Sequence, residues 1–191
     1  MTQEQSPVTA PVQPLVLAVV QSHEPAPDQR LLVGRDGSTV VALSRDLACD
    51  QQRAWDFLTT PAGLAAWSPC VPDRSLAETG AATMRENPTD DPVDGTVEAA
   101  QAPSYLVHQW GPERLEWHLT PTAQGTRLEL IMDCTSAEMA AACGAGWHVC
   151  LAVLEVLARG EQADRVVGYD AFGYGWEAMN ASYADHVERA Q

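Results

Sequence analysis

Three consecutive stretches of this chain alternate apolar and polar residues with period two. That alternation constrains the fold more than any other feature. Leu106, His108 and Trp110 fall on one side, as do Leu115, Trp117 and Leu119, and then Leu128, Leu130 and Met132. Glu116, His118, Arg127 and Glu129 take the opposite side. Successive strand side chains point to opposite faces, so residues 105–110, 115–120 and 126–134 predict an antiparallel meander with one buried and one wet face. Gly111-Pro112-Glu113 and Thr122-Ala123-Gln124-Gly125 supply its turns, and residues 95–100 add a strand before it. Upstream, residues 31–33 and 39–47 flank Arg35-Asp36-Gly37, a hairpin signature. Val41, Leu43, Arg45 and Leu47 share one face of the second strand. Arg45 is therefore a charge on an apolar face and needs a buried carboxylate or carbonyl partner.

A sheet with one apolar face needs a cover. Thr135 with Glu138 reads as a capping box. Beyond it, Met139, Cys143, Trp147, Cys150, Leu151, Leu154 and Leu157 or Ala158 mark one side of a helix that ends at Gly160. Gly144 and Gly146 predict a break or a tight packing point near its start. Asp50 caps a short helix over 51–58, and Pro61 opens another over 62–67. Residues 77–86 read as one or two short strands and 87–92 as a polar loop. A loop containing Tyr169, Phe172 and Tyr174 leads to a last helix with Trp176, Met179, Tyr183 and Val187. The sum is an α+β design: a hairpin, two small helices, a curved antiparallel sheet and a long helix across it. Residues 1–28, rich in Pro, Gln, Thr and Ser, read as an arm ahead of one domain at 29–190. The apolar run at 15–20 is expected as an edge strand or against a neighbouring molecule, which would make a homodimer.

Composition removes several chemistries. The 191 residues carry 26 acids against 11 bases, a formal −15, and every base is an arginine. Without lysine there is no Schiff base, no pyridoxal phosphate attachment and no Walker A loop. The net acidity argues against a nucleic-acid partner, whose affinity rests on phosphate neutralisation. No apolar run is read as approaching the ~20 residues of a membrane span, and the run at 15–20 lacks the basic residues of a secretory signal. The five cysteines, an odd number without a CxxC, suggest reduced thiols in a cytoplasm. Cys143, His148 and Cys150 lie close in sequence, but free cysteine is commonly a small buried hydrophobe, so no metal or cofactor is implied.

The order and wording of the chain resemble a known family. Trp55-x-x-Leu58-Thr59-x-Pro61-x-x-Leu64-x-x-Trp67 is similar to the opening of the activator of Hsp90 ATPase homologue-like branch of the START/Bet v 1-like (SRPBCC) superfamily. Gly95-Thr96-Val97, Leu106 to Trp110, and Leu119-Thr120-Pro121 with Gly125-Thr126-Arg127-Leu128-Glu129-Leu130 resemble its strands. Gly146-Trp147-His148-x-Cys150-Leu151-x-x-Leu154 matches its helix most closely, and Trp176 and Tyr183 also fit. The match runs collinearly from about residue 30 to 188, whereas residues 68–87 depart from the family pattern. The resemblance implies a helix-grip fold enclosing a cavity, and hands over no catalytic residue.

Leu43, Trp67, Trp110, Trp117, Met132, Cys143, Trp147 and Leu151 point by period into the gap between sheet and helix. Indoles offer area to grip a flat apolar ligand and an N–H to orient it. Arg45 and His148 are the polar candidates, Arg45 as the one arginine expected to face the cavity and His148 at its rim. The expected function is binding of an apolar or aromatic small molecule, lipid or polyketide-like. Two alternatives stand beside it: a cyclase or hydrolase using His148, Arg45 or a tyrosine as acid or base, and a co-chaperone-like interaction module.

Overall fold

The computed structural model describes residues 10–23, 30–33, 39–185 and 187–189. In chain order the elements are α1 (Pro14–Ser22), β1 (Arg30–Val33), β2 (Thr39–Leu47), α2 (Gln51–Thr59), α3 (Pro61–Ala65) and the short strands β3 (Val71–Pro72), β4 (Thr83–Arg85) and β5 (Val93–Asp94). Then come β6 (Val97–Gln101), β7 (Tyr105–Trp110), β8 (Glu113–Thr122), β9 (Gly125–Cys134), the long helix α4 (Ala137–Ala158), a 3-10 segment at Gly168–Tyr174, α5 (Trp176–Asp185) and β10 (Val187–Arg189). The main sheet runs β10-β1-β2-β9-β8-β7-β6, antiparallel except for the β1–β10 pair, and β3-β4-β5 make a small second sheet. The hairpin expected upstream forms as β1 paired with β2, with its turn outside the described residues.

Alternation sets the register. Leu43, Leu130, Trp117 and Leu106 lie opposite one another across four strands, and Val41, Met132, Leu115 and His108 make the next rung. All eight are buried. On the wet face Arg114 bridges Glu98 and Glu116, each at 3.0 Å.

Local chemistry explains the helix starts. Asp50 accepts from Arg53 N at 2.8 Å, and Thr60 accepts from Gly63 N at 3.0 Å with Pro61 in the first turn. Helix α4 is capped by Ser136, one residue later than Thr135, because the Ser136 side chain accepts from Met139 N at 3.1 Å. At its far end Gly160 takes φ +82°, the left-handed stop that glycine adopts without strain. Neither Gly144 nor Gly146 breaks the helix. Gly144 is instead a close-packing point, where a Cβ would sit 3.3 Å from the Tyr183 ring.

The expected single apolar stripe on α4 is too narrow. Met139 is 43% exposed, whereas His148, Val149, Ala152, Val153, Glu155 and Val156 are buried behind the stripe. Their cover includes α1 and α5, which both pack on the helix. The run at 15–20 is thus not a strand: it belongs to α1, whose Val16, Val19 and Val20 are buried in the same core. By length and apolarity α4 matches a membrane span, contrary to the sequence reading, yet 78% of that apolar window is buried inside the fold. The last helix ends at Asp185, so Val187 falls in β10.

Candidate ligand-binding site

A cavity of about 370 Å3 opens beside the first half of α4, within the range of small-molecule sites. One wall is helical: Ala142, Cys143, Gly146, Trp147 and Cys150. Trp110, at the end of β7, and Pro69 with Glu86 close two edges. The opposite wall is the segment after α4: Val166, Val167, Gly168, Tyr169, Ala171, Phe172 and Trp176. The aromatics there meet in series, Tyr169 stacked on Phe172 at 6.0 Å and Phe172 tilted against Trp176 at 5.2 Å.

Of the residues singled out from sequence, Trp110, Cys143 and Trp147 line this cavity. Leu43, Trp67, Trp117, Met132, Leu151, Arg45 and His148 do not, and all seven are buried. The gap between sheet and helix is filled by indoles packed on one another: Trp117–Trp147 at 5.4 Å, with Trp67 6.0 Å from each. Their N–H groups are also engaged. Trp67 donates to Phe57 O at 3.1 Å, Trp117 to His108 Nε2 at 3.0 Å, and Trp147 to Met132 Sδ at 3.2 Å. These indoles are core with satisfied donors, and no N–H is left to orient a ligand there.

His108 must accept at Nε2, so its Nδ1–H donates to Gln109 O at 2.9 Å. Burial pushes its pKa down to about 4. His148 lies behind α4, away from the rim expected for it: Nε2–H donates to Val20 O at 3.1 Å, and Nδ1 lies 3.3 Å from the Tyr183 hydroxyl. Burial, aided by the Arg45 charge, pushes its pKa down to about 3.

Arg45 does not face the cavity either. It reaches behind α4, where its Nε lies 3.1 Å from Glu155 Oε1 and its Nη1 donates to Ser44 O at 2.7 Å. The Glu155 contact is between charges and is not an aligned hydrogen bond, and Arg45 Nη2 is buried without a hydrogen-bond partner among the described residues. Burial lowers the Arg45 pKa, opposed by Glu155.

The cavity's own charge is Glu86, the one ionisable carboxylate on its wall among the described residues. Burial raises its pKa, with Arg165 pulling the other way. Sequence reasoning passed over Glu86, Tyr169, Phe172 and Trp176 as site residues. The available signal was the run Gly168-Tyr169-Asp170-Ala171-Phe172-Gly173-Tyr174-Gly175-Trp176, in which glycines alternate with aromatics outside any strand period.

A second hollow of about 420 Å3 lies between residues 10–16 and 162–174. Its polar groups are largely paired: Gln13 exchanges two hydrogen bonds with the Asp164 backbone, at 2.9 and 2.7 Å. The aromatic wall belongs to the first cavity.

A seven-stranded sheet gripping a long helix, with an aromatic cavity at one end of that helix, defines a helix-grip α+β domain. The chain belongs to the activator of Hsp90 ATPase homolog 1-like family, whose model matches residues 48–159. Members of this family commonly bind hydrophobic ligands.

Solved structures share the fold. A conserved protein of unknown function, EF2215 from Enterococcus faecalis, is 17% identical at TM-score 0.68, covering 88% of this chain and 94% of that one. CalU16 from Micromonospora echinospora is 17% identical at TM-score 0.61, covering 84% and 96%. Protein MLL2253 from Mesorhizobium loti is 19% identical at TM-score 0.55, covering 65% and 99%. No curated protein matches the chain.

Proposed function

We propose that this protein binds a small apolar, aromatic molecule in the cavity between α4 and the 166–176 segment. The observation that carries the reading is the cavity wall itself: Trp110, Trp147, Tyr169, Phe172 and Trp176 surround one volume large enough for a ligand. Aromatic faces supply contact area at low entropic cost. Of the acid or base candidates for an enzymatic alternative, His148 and Arg45 are located elsewhere and only a tyrosine, Tyr169, stands on the wall, which favours binding over turnover. Five free cysteines support a reducing, cytoplasmic setting.

The test is to fill the cavity without removing anything from the core. A Cβ on Gly146 would meet only Trp176 Nε1, at 4.0 Å, so a larger side chain there enters the cavity. Replacing a helical glycine also favours the helix by about 1 kcal/mol. Gly146→Leu should keep the far-UV circular dichroism and melting temperature, while binding of the uncharged fluorophore N-phenyl-1-naphthylamine falls by about tenfold or more, the ~1.4 kcal/mol scale of lost contacts. Unchanged fluorophore binding in a folded Gly146→Leu protein would overturn the proposal.

A further inference from the structure

The cavity contains a chemical mismatch. Its walls are aromatic and aliphatic, yet Glu86 brings a carboxylate to their edge, half-buried and close to Gly168, whose Cβ would lie 3.4 Å from Glu86 Oε1. Among the described residues this carboxylate accepts no hydrogen bond and has no cation within ion-pair distance. Arg165 is the nearby positive charge, but its Nε and Nη2 donors are held by backbone. Its Nε donates to Ser68 O at 2.7 Å, and its Nη2 donates to Glu86 O at 2.6 Å and to Pro69 O at 3.4 Å. The arginine thus fixes the Glu86 main chain and leaves the side chain unpaired.

Burying an unpaired carboxylate is unfavourable, so a partner supplied from outside would be stabilised there. Aromatic faces attract cations through their quadrupoles, most strongly where water is excluded. A formal charge of −15 also raises the local concentration of cations around the molecule. A ligand carboxylate would instead meet a like charge in a low-dielectric pocket.

Resting on the reading of this cavity as the ligand site, we infer that its occupant is an aromatic amine, whose protonated nitrogen pairs with the Glu86 carboxylate while its ring lies among Trp110, Trp147 and Trp176. The apolar body then comes from the walls and the selectivity from one charge.

Three probes that share an indole ring and a short side chain test this by calorimetry near neutral pH: tryptamine, tryptophol and indoleacetate. Tryptamine should bind the wild-type protein about tenfold or more tighter than tryptophol, the scale of a charge-assisted contact. Indoleacetate should bind more weakly than either. In Glu86→Gln the ratio of tryptamine to tryptophol affinity should fall to about one, since the amide has no charge to offer. Equal affinities in the wild type, or a preference that survives Glu86→Gln, would overturn the inference while leaving the cavity reading intact. If tryptophol and the uncharged fluorophore both fail to bind the wild-type protein, the cavity reading falls, and the amine with it.

Discussion

Helix α4 separates two regions, each of which presents a carboxylate to a buried space, and the two carboxylates are handled in opposite ways. Behind the helix, Glu155 is enclosed by positive or protonatable groups: Arg45 Nε at 3.1 Å, His23 Nε2 at 2.8 Å and Arg159 Nη2 at 3.5 Å. His148 and Tyr183 complete that cluster, and α1 closes it through Val20 O. In front, Glu86 faces an open aromatic cavity, and its nearby cation, Arg165, directs its Nε and Nη2 donors to backbone carbonyls and not to the carboxylate. A buried charge that is matched within its own chain holds the fold together; one left unmatched is available to a ligand. The same residue type therefore serves structure on one side of a helix and recognition on the other.

The largest expected effect tests that contrast directly. Glu155→Ala leaves Arg45, only 1% exposed, as an uncompensated buried charge. Removing one partner of such a pair costs about 3–5 kcal/mol, which urea denaturation would read as a lower midpoint. Glu86→Gln, by contrast, should cost less than about 1 kcal/mol, because it breaks no pair. Equal losses in the two variants would show that both carboxylates are structural.

How far each region could be read from sequence differs for the same physical reason. Arg45 was legible as a misfit on the Val41–Leu43–Leu47 face, and the need for a buried partner followed from electrostatics alone. Its partner was not, because Glu155 sits in an apolar helix whose second buried face depends on α1 and α5, a tertiary fact that no local period encodes. The strands β7 to β9 were legible because a half-buried strand must alternate. The cavity was the least legible part. Tyr169 and Phe172 lie in a 3-10 segment without apolar periodicity, while Trp67 and Trp117, large and regularly spaced, drew attention and proved to fill the core. An indole's chemistry suggests a ligand; only its packing decides whether the neighbour is a ligand or another indole.

The polar side should also respond to acid. His148 has its pKa depressed to about 3 in the folded protein, whereas in the unfolded chain an imidazole titrates near 6.5. The unfolded state therefore takes up a proton that the folded state refuses. The stability this provides is complete above pH ~6.5 and is lost as pH falls toward the folded value, at about 1.4 kcal/mol per pH unit. His108, held at about 4, adds the same slope over a shorter window. In His148→Gln the decline in unfolding free energy between pH ~6.5 and ~5, read by urea denaturation, should be shallower by about 2 kcal/mol. An unchanged slope would mean that His148 carries its proton inside the fold.

The smallest effect concerns two thiols on the cavity side, Cys143 and Cys150, which lie two turns apart on α4 and both line the wall. Cys150 is buried, donates to Val166 O at 3.5 Å, and burial pushes its pKa up to about 12. Cys143 is only partly buried, and its interaction with the neighbouring Cys134 thiol, whose Sγ–H donates to Met132 O at 3.8 Å, lowers the Cys143 pKa and raises that of Cys134. The thiolate is the nucleophile, so iodoacetamide should label Cys143 first, before Cys134 and well before Cys150, as peptide mass spectrometry would record. Cys134→Ser keeps a polar side chain beside Cys143 and should preserve its priority, whereas Cys134→Ala removes that neighbour and should slow the labelling. A saturating cavity ligand should slow it further in every variant, because the sulfur is part of the wall the ligand covers. Labelling of Cys143 that is indifferent to the ligand would place the occupied volume elsewhere, and with it the boundary drawn here between the two sides of α4.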